Sequence, residues 1–230
     1  MRSANRLILF LVLTSGLPVR ADGRTAIRDR PDSRSMAASG DDELLSQIWK
    51  GVQAAQNRYL TGCGRITESR TSKLLTRPIV FRGRFCASGT DRFTMEYLEP
   101  EPVRLVFNRD FLNVTTGKEA RTTEVIEVGN HVRRTQGYFS RENSIKNLKE
   151  NFSISVRQAV STYEMRLVPR SARFRQRVNY IVVGLARDTF LLRTLEIDGA
   201  SGVRSVFQID LESLNQKLDE RLFHVYRPKH

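Results

Sequence analysis

The sequence holds few of the residues that usually carry chemistry. Among 230 residues there are two cysteines, three histidines and one tryptophan. The histidines, His131, His224 and His230, are scattered, and none stands at metal-ligand spacing from another histidine or from a cysteine. No G-x-S-x-G, phosphate-binding glycine loop or H-E-x-x-H is present. Glu96, Glu99 and Glu101 lie close together, but the alternation through them and the flanking prolines put them at a wetted strand end. With no nucleophile–base pair, metal cluster or paired-carboxylate site, the chain is expected to be non-enzymatic and to need no cofactor or metal.

Acidic side chains are also short: 25 Asp and Glu face 38 Lys and Arg, a formal net charge of +13. A long apolar run is missing as well. The longest, Leu7 to Leu13, falls well below the roughly 18 residues that a membrane-spanning helix needs. It follows Arg2 and Arg6 and precedes Val19-Arg20-Ala21, whose small residues suit a signal peptidase, so residues 1–21 read as a cleaved secretory signal. Losing Arg2, Arg6 and Arg20 lowers the charge from +13 to +10. Export excludes intracellular nucleic acid as the partner and leaves anionic membrane surfaces or acidic protein patches. It also places the two cysteines where a disulfide persists.

Residues 22–40 are polar, charged and small without periodicity, and are expected to form a disordered leader. From Asp41 to Tyr59 the pattern is helical. Asp41 and Asp42 suit a helix N-terminus, and Leu45, Ile48, Trp49 and Val52 recur at three- and four-residue steps to form one apolar stripe. After Thr61 the period changes to two. Ile79, Phe81 and Phe85 alternate with Arg82 and Arg84; Phe93, Met95 and Tyr97 alternate with Arg92, Thr94 and Glu96; Val103, Leu105 and Phe107 follow around Arg104, and then Phe111 to Thr115. Such alternation, with turn residues at short intervals, predicts an antiparallel meander with one covered face.

Ser140 to Asn151 reads as helical, with Ile145 and Leu148 on one side. Strands then resume at Ser153–Ala159, Thr162–Val168, Arg177–Leu185, Thr189–Ile197 and Val203–Asp210, and the tail from Asn215 to Pro228 reads as a loop and a last short strand. Tyr180-Ile181-Val182-Val183 is apolar on both faces, which suggests helices on one side and neighbours on the other. The fold class is α+β and mostly β: a large curled antiparallel sheet with helices against its inner face. One domain of residues 41–230 is expected.

The cysteines test the first hairpin. A loop centred between Leu74 and Leu75 places Cys63 directly opposite Cys86, with Ile66, Phe81 and Phe85 on one face and Arg65, Arg82 and Arg84 on the other. Opposed strand residues come within disulfide reach. A bridge is expected, two half-buried thiols being the alternative. On the inner face Phe81, Phe85, Phe93, Met95, Tyr97, Leu105, Phe107, Tyr163, Met165 and Leu167 line either an ordinary core or an apolar pocket that the helices leave unfilled.

The order and local wording of these segments resemble the periplasmic lipoprotein carrier family (LolA, with its outer-membrane relative LolB). The resemblance rests on the opening amphipathic helix and the glycine-led strand Gly83 to Ala87. It continues in F-x-W-x-Y-x-x-P at Phe93 to Pro100 with Met95 in the tryptophan place, and in L-x-P-K/R at Leu167 to Arg170. It closes with Asn215, Leu218, Asp219, Phe223, Val225 and Pro228. It implies an unclosed antiparallel β-barrel, a half-barrel, with a helical lid over an apolar concave face. The helical segments, through Leu45, Ile48, Trp49, Val52, Ile145 and Leu148, are the expected lid.

The implied function is a periplasmic carrier that shields acyl chains of lipoproteins or lipids, takes them from an inner-membrane donor and passes them to an outer-membrane acceptor. A binding or sensor module with a protein partner is the second expectation on the same scaffold. A single-domain length suits the carrier, expected as a monomer. The family's Arg-Pro turn before the phenylalanine strand is replaced here by Ser88-Gly89-Thr90-Asp91. Its arginine latch is therefore not carried over, and Arg92 is expected on the wet side. Arg170, Arg173, Arg175 and Arg177 are expected to steer the protein toward anionic lipid.

Overall fold

The computed structural model describes residues 38–89, 91–117, 122–127 and 145–225. The expected signal segment, the leader up to residue 37, the 140–144 part of the second helical segment and the tail beyond 225 lie outside the described residues. The first helix, α1 (Ala38–Arg58), begins three residues inside the expected leader. Once its stripe is docked, adding a residue at the helix end costs little. Leu45, Ile48, Trp49 and Val52 are all buried, as the three-four spacing requires.

Among the described residues eleven strands follow: β1 (Thr61–Thr71), β2 (Ile79–Ser88), β3 (Arg92–Glu99), β4 (Val103–Asn108), β5 (Phe111–Thr116), β6 (Thr122–Glu127), β7 (Phe152–Gln158), β8 (Thr162–Pro169), β9 (Val178–Ala186), β10 (Leu192–Gly199) and β11 (Arg204–Leu214). Two short helices, α2 (Ile145–Asn151) and α3 (Ala172–Arg175), sit before β7 and after β8. All strands belong to one sheet in the order β6-β5-β4-β3-β2-β1-β11-β10-β9-β8-β7. Two antiparallel meanders therefore meet at a central seam between the first strand and the last. Among the described residues β6 and β7 are the two edges, so the sheet curls without closing. Strand β6 was not expected: Thr122 to Glu127 alternates weakly, and it pairs on one side only, with β5.

Curvature is focused at irregularities in the ladders, including Cys63/Gly64 against β11 and Arg82/Gly83 against β3. Both glycines face inward, where the backbone of the neighbouring strand closes in. A Cβ on Gly64 would lie 2.1 Å from the Asp210 carbonyl oxygen, and one on Gly83 would lie 2.1 Å from that of Glu96. Only glycine permits such an approach.

Cys63 stands opposite Cys86 in the β1–β2 register, with Cα atoms 4.1 Å apart, and the two are joined by a disulfide. They share the outer face with Arg65 and Arg84, so the bridge staples the convex side and leaves the concave side apolar.

One expectation needs correction. The tail forms a 3-10 turn, Glu220–Phe223, instead of a strand. Asp219 caps it by accepting from the Arg221 amide at 2.9 Å. Phe223 and Val225 are buried, so the alternation read as a strand reflects the spacing of two anchors. On the outer face, Tyr180 is met by neighbouring side chains, while α1 lies in the cluster on the inner face with Ile181 and Val183. The Arg166 guanidinium lies 3.6 Å from the centre of the Tyr180 ring, and the Tyr180 hydroxyl donates to Glu196 at 2.8 Å. Long side chains cover this apolar surface.

Candidate functional site

The concave face is built by alternation. Phe85, Phe93, Met95, Tyr97, Leu105 and Phe107 come from the first meander, and Tyr163, Met165 and Leu167 from the second; all are buried. Phe81 is half-buried near the end of β2, its ring 5.4 Å from that of Tyr97. Phe85 and Phe93 stack at 6.4 Å. Leu45, Ile48, Trp49 and Val52 of α1 join the same apolar cluster. Leu148 of α2 is fully buried in it, and Ile145 packs at its margin.

Several contacts seat the helices. The Gln47 amide donates to the Tyr163 hydroxyl at 3.4 Å. Gly51 meets the Phe190 ring, which itself stacks on Tyr163 at 5.5 Å. The Lys149 ammonium pairs with Asp42 at 2.7 Å and so ties α2 to α1. The end of α1 is fixed by Asn215, whose Nδ2 donates to the Arg58 carbonyl at 2.9 Å and whose Oδ1 accepts from the Leu60 amide at 2.8 Å. Asn215 has a φ of 58°, a left-handed conformation that asparagine tolerates well.

The C-terminal motif is thus structural. Asn215 caps the helix, Asp219 caps the 3-10 turn, and Phe223 is buried on the outer side of β3 and β4. There the Arg92 guanidinium lies 5.3 Å from the Phe223 ring centre and the Asn108 amide donates to the Phe223 carbonyl at 2.8 Å. Arg92 also pairs with Glu220. It lies on the wet side, as its alternation with Phe93 requires, and anchors the tail. Arg170 is exposed and also joins two elements. Its Nε donates to the carbonyls of Lys149 and Phe152 at 2.9 and 3.1 Å, so it caps the end of α2. Arg173, Arg175 and Arg177 remain exposed.

One feature of the concave face was missed: a polar cluster. Glu68 is 1% exposed, yet it lies on the inner side of β1, two residues beyond the buried Ile66. Its Oε1 accepts from Arg70 Nε and Nη2 at 2.9 and 2.8 Å and from the Ser205 hydroxyl at 2.8 Å. Its Oε2 accepts from the Tyr97 hydroxyl at 2.6 Å. Burial first, and then the charge of Glu68 and the bond to it, push the Tyr97 phenol far above the usual tyrosine range, so it remains a donor. The signal was present in the sequence. Counting in twos from Ile66 puts Glu68 and Arg70 inward, although T-E-S-R reads by composition as a wetted segment.

Solved structures share this architecture. An uncharacterized conserved protein from Thermus thermophilus is similar at a TM-score of 0.51, with 6% identity, over 80% of this chain and 95% of that one. A LolA superfamily protein from Nitrosomonas europaea is similar at a TM-score of 0.40, with 9% identity, over 78% of this chain and 97% of that one. The fold is the one seen in the Thermus thermophilus protein.

The Pseudomonas aeruginosa MucA/MucB complex is also similar, at a TM-score of 0.46 and 10% identity, over 78% of this chain and 61% of that one. At these identities the likeness is one of fold. No family profile matches the sequence, and no curated protein matches it. In this chain the unclosed sheet supplies the concave face, and α1 with α2 supplies the cover. Among the described residues, no helix is long and apolar enough to cross a membrane.

Proposed function

We propose that the protein is a non-enzymatic periplasmic carrier. It would bind the acyl chains of lipoproteins or lipids against the concave face and move them toward the outer membrane. The observation that carries this reading is the pairing of a largely aromatic and aliphatic concave face with a helical cover that packs an apolar stripe against it. An acyl chain of about 16 carbons exposed to water costs on the order of 10 kcal/mol, at about 0.8 kcal/mol per CH₂. A face that offers non-directional apolar contact offsets this cost without demanding one cargo.

In the closed form the helix stripe occupies the face, so a chain enters as the helices lift and is released as they return. The tie at Asn215 leaves the N-terminal part of α1, joined to α2 by Asp42 and Lys149, as the part that moves. Arg173, Arg175 and Arg177 would meet anionic lipid during delivery. At the same end of the sheet the β1–β2 hairpin carries Leu74, 79% exposed, between Lys73 and the nearby Arg77. The exchange partners would be an inner-membrane donor and an outer-membrane acceptor, with the carrier acting as a monomer.

The test is mass spectrometry of an organic extract of the natively purified, exported protein, together with photo-crosslinking of an acyl probe. Bound lipid, with crosslinks in the peptides holding Phe85, Phe93 and Met95, supports the carrier. A lipid-free protein that takes up no probe would remove it and leave a module with a protein partner.

A further inference from the structure

Resting on that acyl-carrier reading, we infer that Arg70 is a head-group site of the concave face, which selects acyl chains ending in an anionic oxygen group. The guanidinium is placed by three contacts, one of them backed by a further ring. Nε and Nη2 donate to Glu68 Oε1 at 2.9 and 2.8 Å, the guanidinium carbon lies 4.8 Å from the centre of the Phe81 ring, and Phe81 stands against Tyr97 at 5.4 Å. Tyr97 closes the circuit by donating to the other Glu68 oxygen at 2.6 Å. The carboxylate thus accepts from Arg70 twice, from Ser205 and from Tyr97, which saturates it. The guanidinium is not saturated. Two of its five N–H groups are used and three have no acceptor among the described residues, while the side chain is 30% exposed.

A buried ion pair is a poor way to stabilise a core, because apolar residues of similar volume usually serve as well. Its presence on an otherwise apolar surface therefore points to recognition. Glu68 is the positioning residue: it holds the guanidinium over the Phe81 ring with part of the side chain exposed. The free N–H groups of Arg70 supply the recognition, and the adjoining hairpin carries no acid between Thr71 and Ile79 to oppose it. Carboxylate and phosphate oxygens both match a guanidinium edge, whereas an alcohol offers neither charge nor a second acceptor.

The experiment is calorimetric titration of the mature full-length protein with decanoate, decyl phosphate and decanol at pH 8. Either anion is expected to bind at least tenfold more tightly than the alcohol, and the comparison of the two anions tells a carboxylate cargo from a phosphate one. The E68Q/R70Q double variant should lose this advantage while keeping the decanol affinity. K73S/R77S, altered only in the exposed hairpin, should retain most of it and tests the assignment even if the double variant does not fold. Equal binding of all three ligands by the wild type, or loss of the advantage in K73S/R77S, overturns the assignment to Arg70 and leaves the carrier reading standing. Failure to bind any of the three defeats both.

Discussion

Gly51 of α1 presents its bare Cα to the ring of Phe190, and a Cβ built there would lie 2.4 Å from that ring. Alanine would gain about 1 kcal/mol of helix propensity. Overpacking of this severity costs about 1–3 kcal/mol, so the clash wins. Gly51→Ala should lower the melting temperature and speed uptake of an apolar fluorescent probe, because the helix seats less well. Adding Phe190→Ala should restore part of the loss in a double-mutant cycle. A Gly51→Ala protein that melts no lower than wild type would show that this contact does not hold the cover.

The disulfide closes a segment with a sequence separation of 23 between Cys63 and Cys86. In the chain-entropy model a loop of that size contributes about 3 kcal/mol by restricting the unfolded chain. Urea unfolding of Cys63→Ser/Cys86→Ser should show a loss of that order. Acyl-probe binding should survive under native conditions, since the bridge lies on the convex face. A loss of binding without a loss of stability would place the bridge in the binding machinery instead.

Glu196 on the outer face sets an acid limb of stability. Partial burial pushes its carboxyl up, but bonds from Arg204 and Tyr180 and the charges of Arg204 and Arg166 outweigh that and hold its pKa below the ordinary glutamate value. The folded pKa is the lower one. The stabilisation is therefore complete above the unfolded value of about 4.3 and is lost as pH falls through the folded value. Arg204 is half exposed, so solvent screening limits the effect to about 0.5–1 kcal/mol. Thermal melts from pH 7 to pH 3 should show Glu196→Gln less stable at pH 7 and converging on wild type at the acid end. Parallel curves would rule out this linkage.

Membrane contact through the β8–β9 connection is open to direct measurement. A basic residue near an anionic surface contributes about 1 kcal/mol. Changing Arg173, Arg175 and Arg177 together to serine should then weaken binding to phosphatidylglycerol vesicles by up to about 100-fold at low salt. The difference should vanish near 1 M salt, where the screening length falls to about 3 Å. Sedimentation with vesicles measures both. Unchanged low-salt binding would exclude this cluster as the contact.

Residues whose partners are near in sequence were legible from the chain alone. The stripe of Leu45, Ile48, Trp49 and Val52 specified α1, because a helix repeats every 3.6 residues whatever it packs against. The alternation around Phe85, Phe93 and Met95 specified strands with one dry face, and the hairpin register alone placed Cys63 opposite Cys86. Other features depended on which strands meet. The seam that pairs β1 with β11 brings Ser205 to Glu68 across 137 positions of sequence, and no local pattern carries that distance. The curl brings Tyr97 to the same carboxylate, which turned a segment of polar appearance into the buried cluster of the concave face. The tail crosses to the convex side of β3 and β4, where Phe223 needs Arg92 and Asn108 as its surroundings, so its alternation alone misread it as a strand. Period and register are properties of the local backbone, and the sequence determined them. Which face closes on what is set by long-range pairing and curvature, and only the tertiary structure decided it.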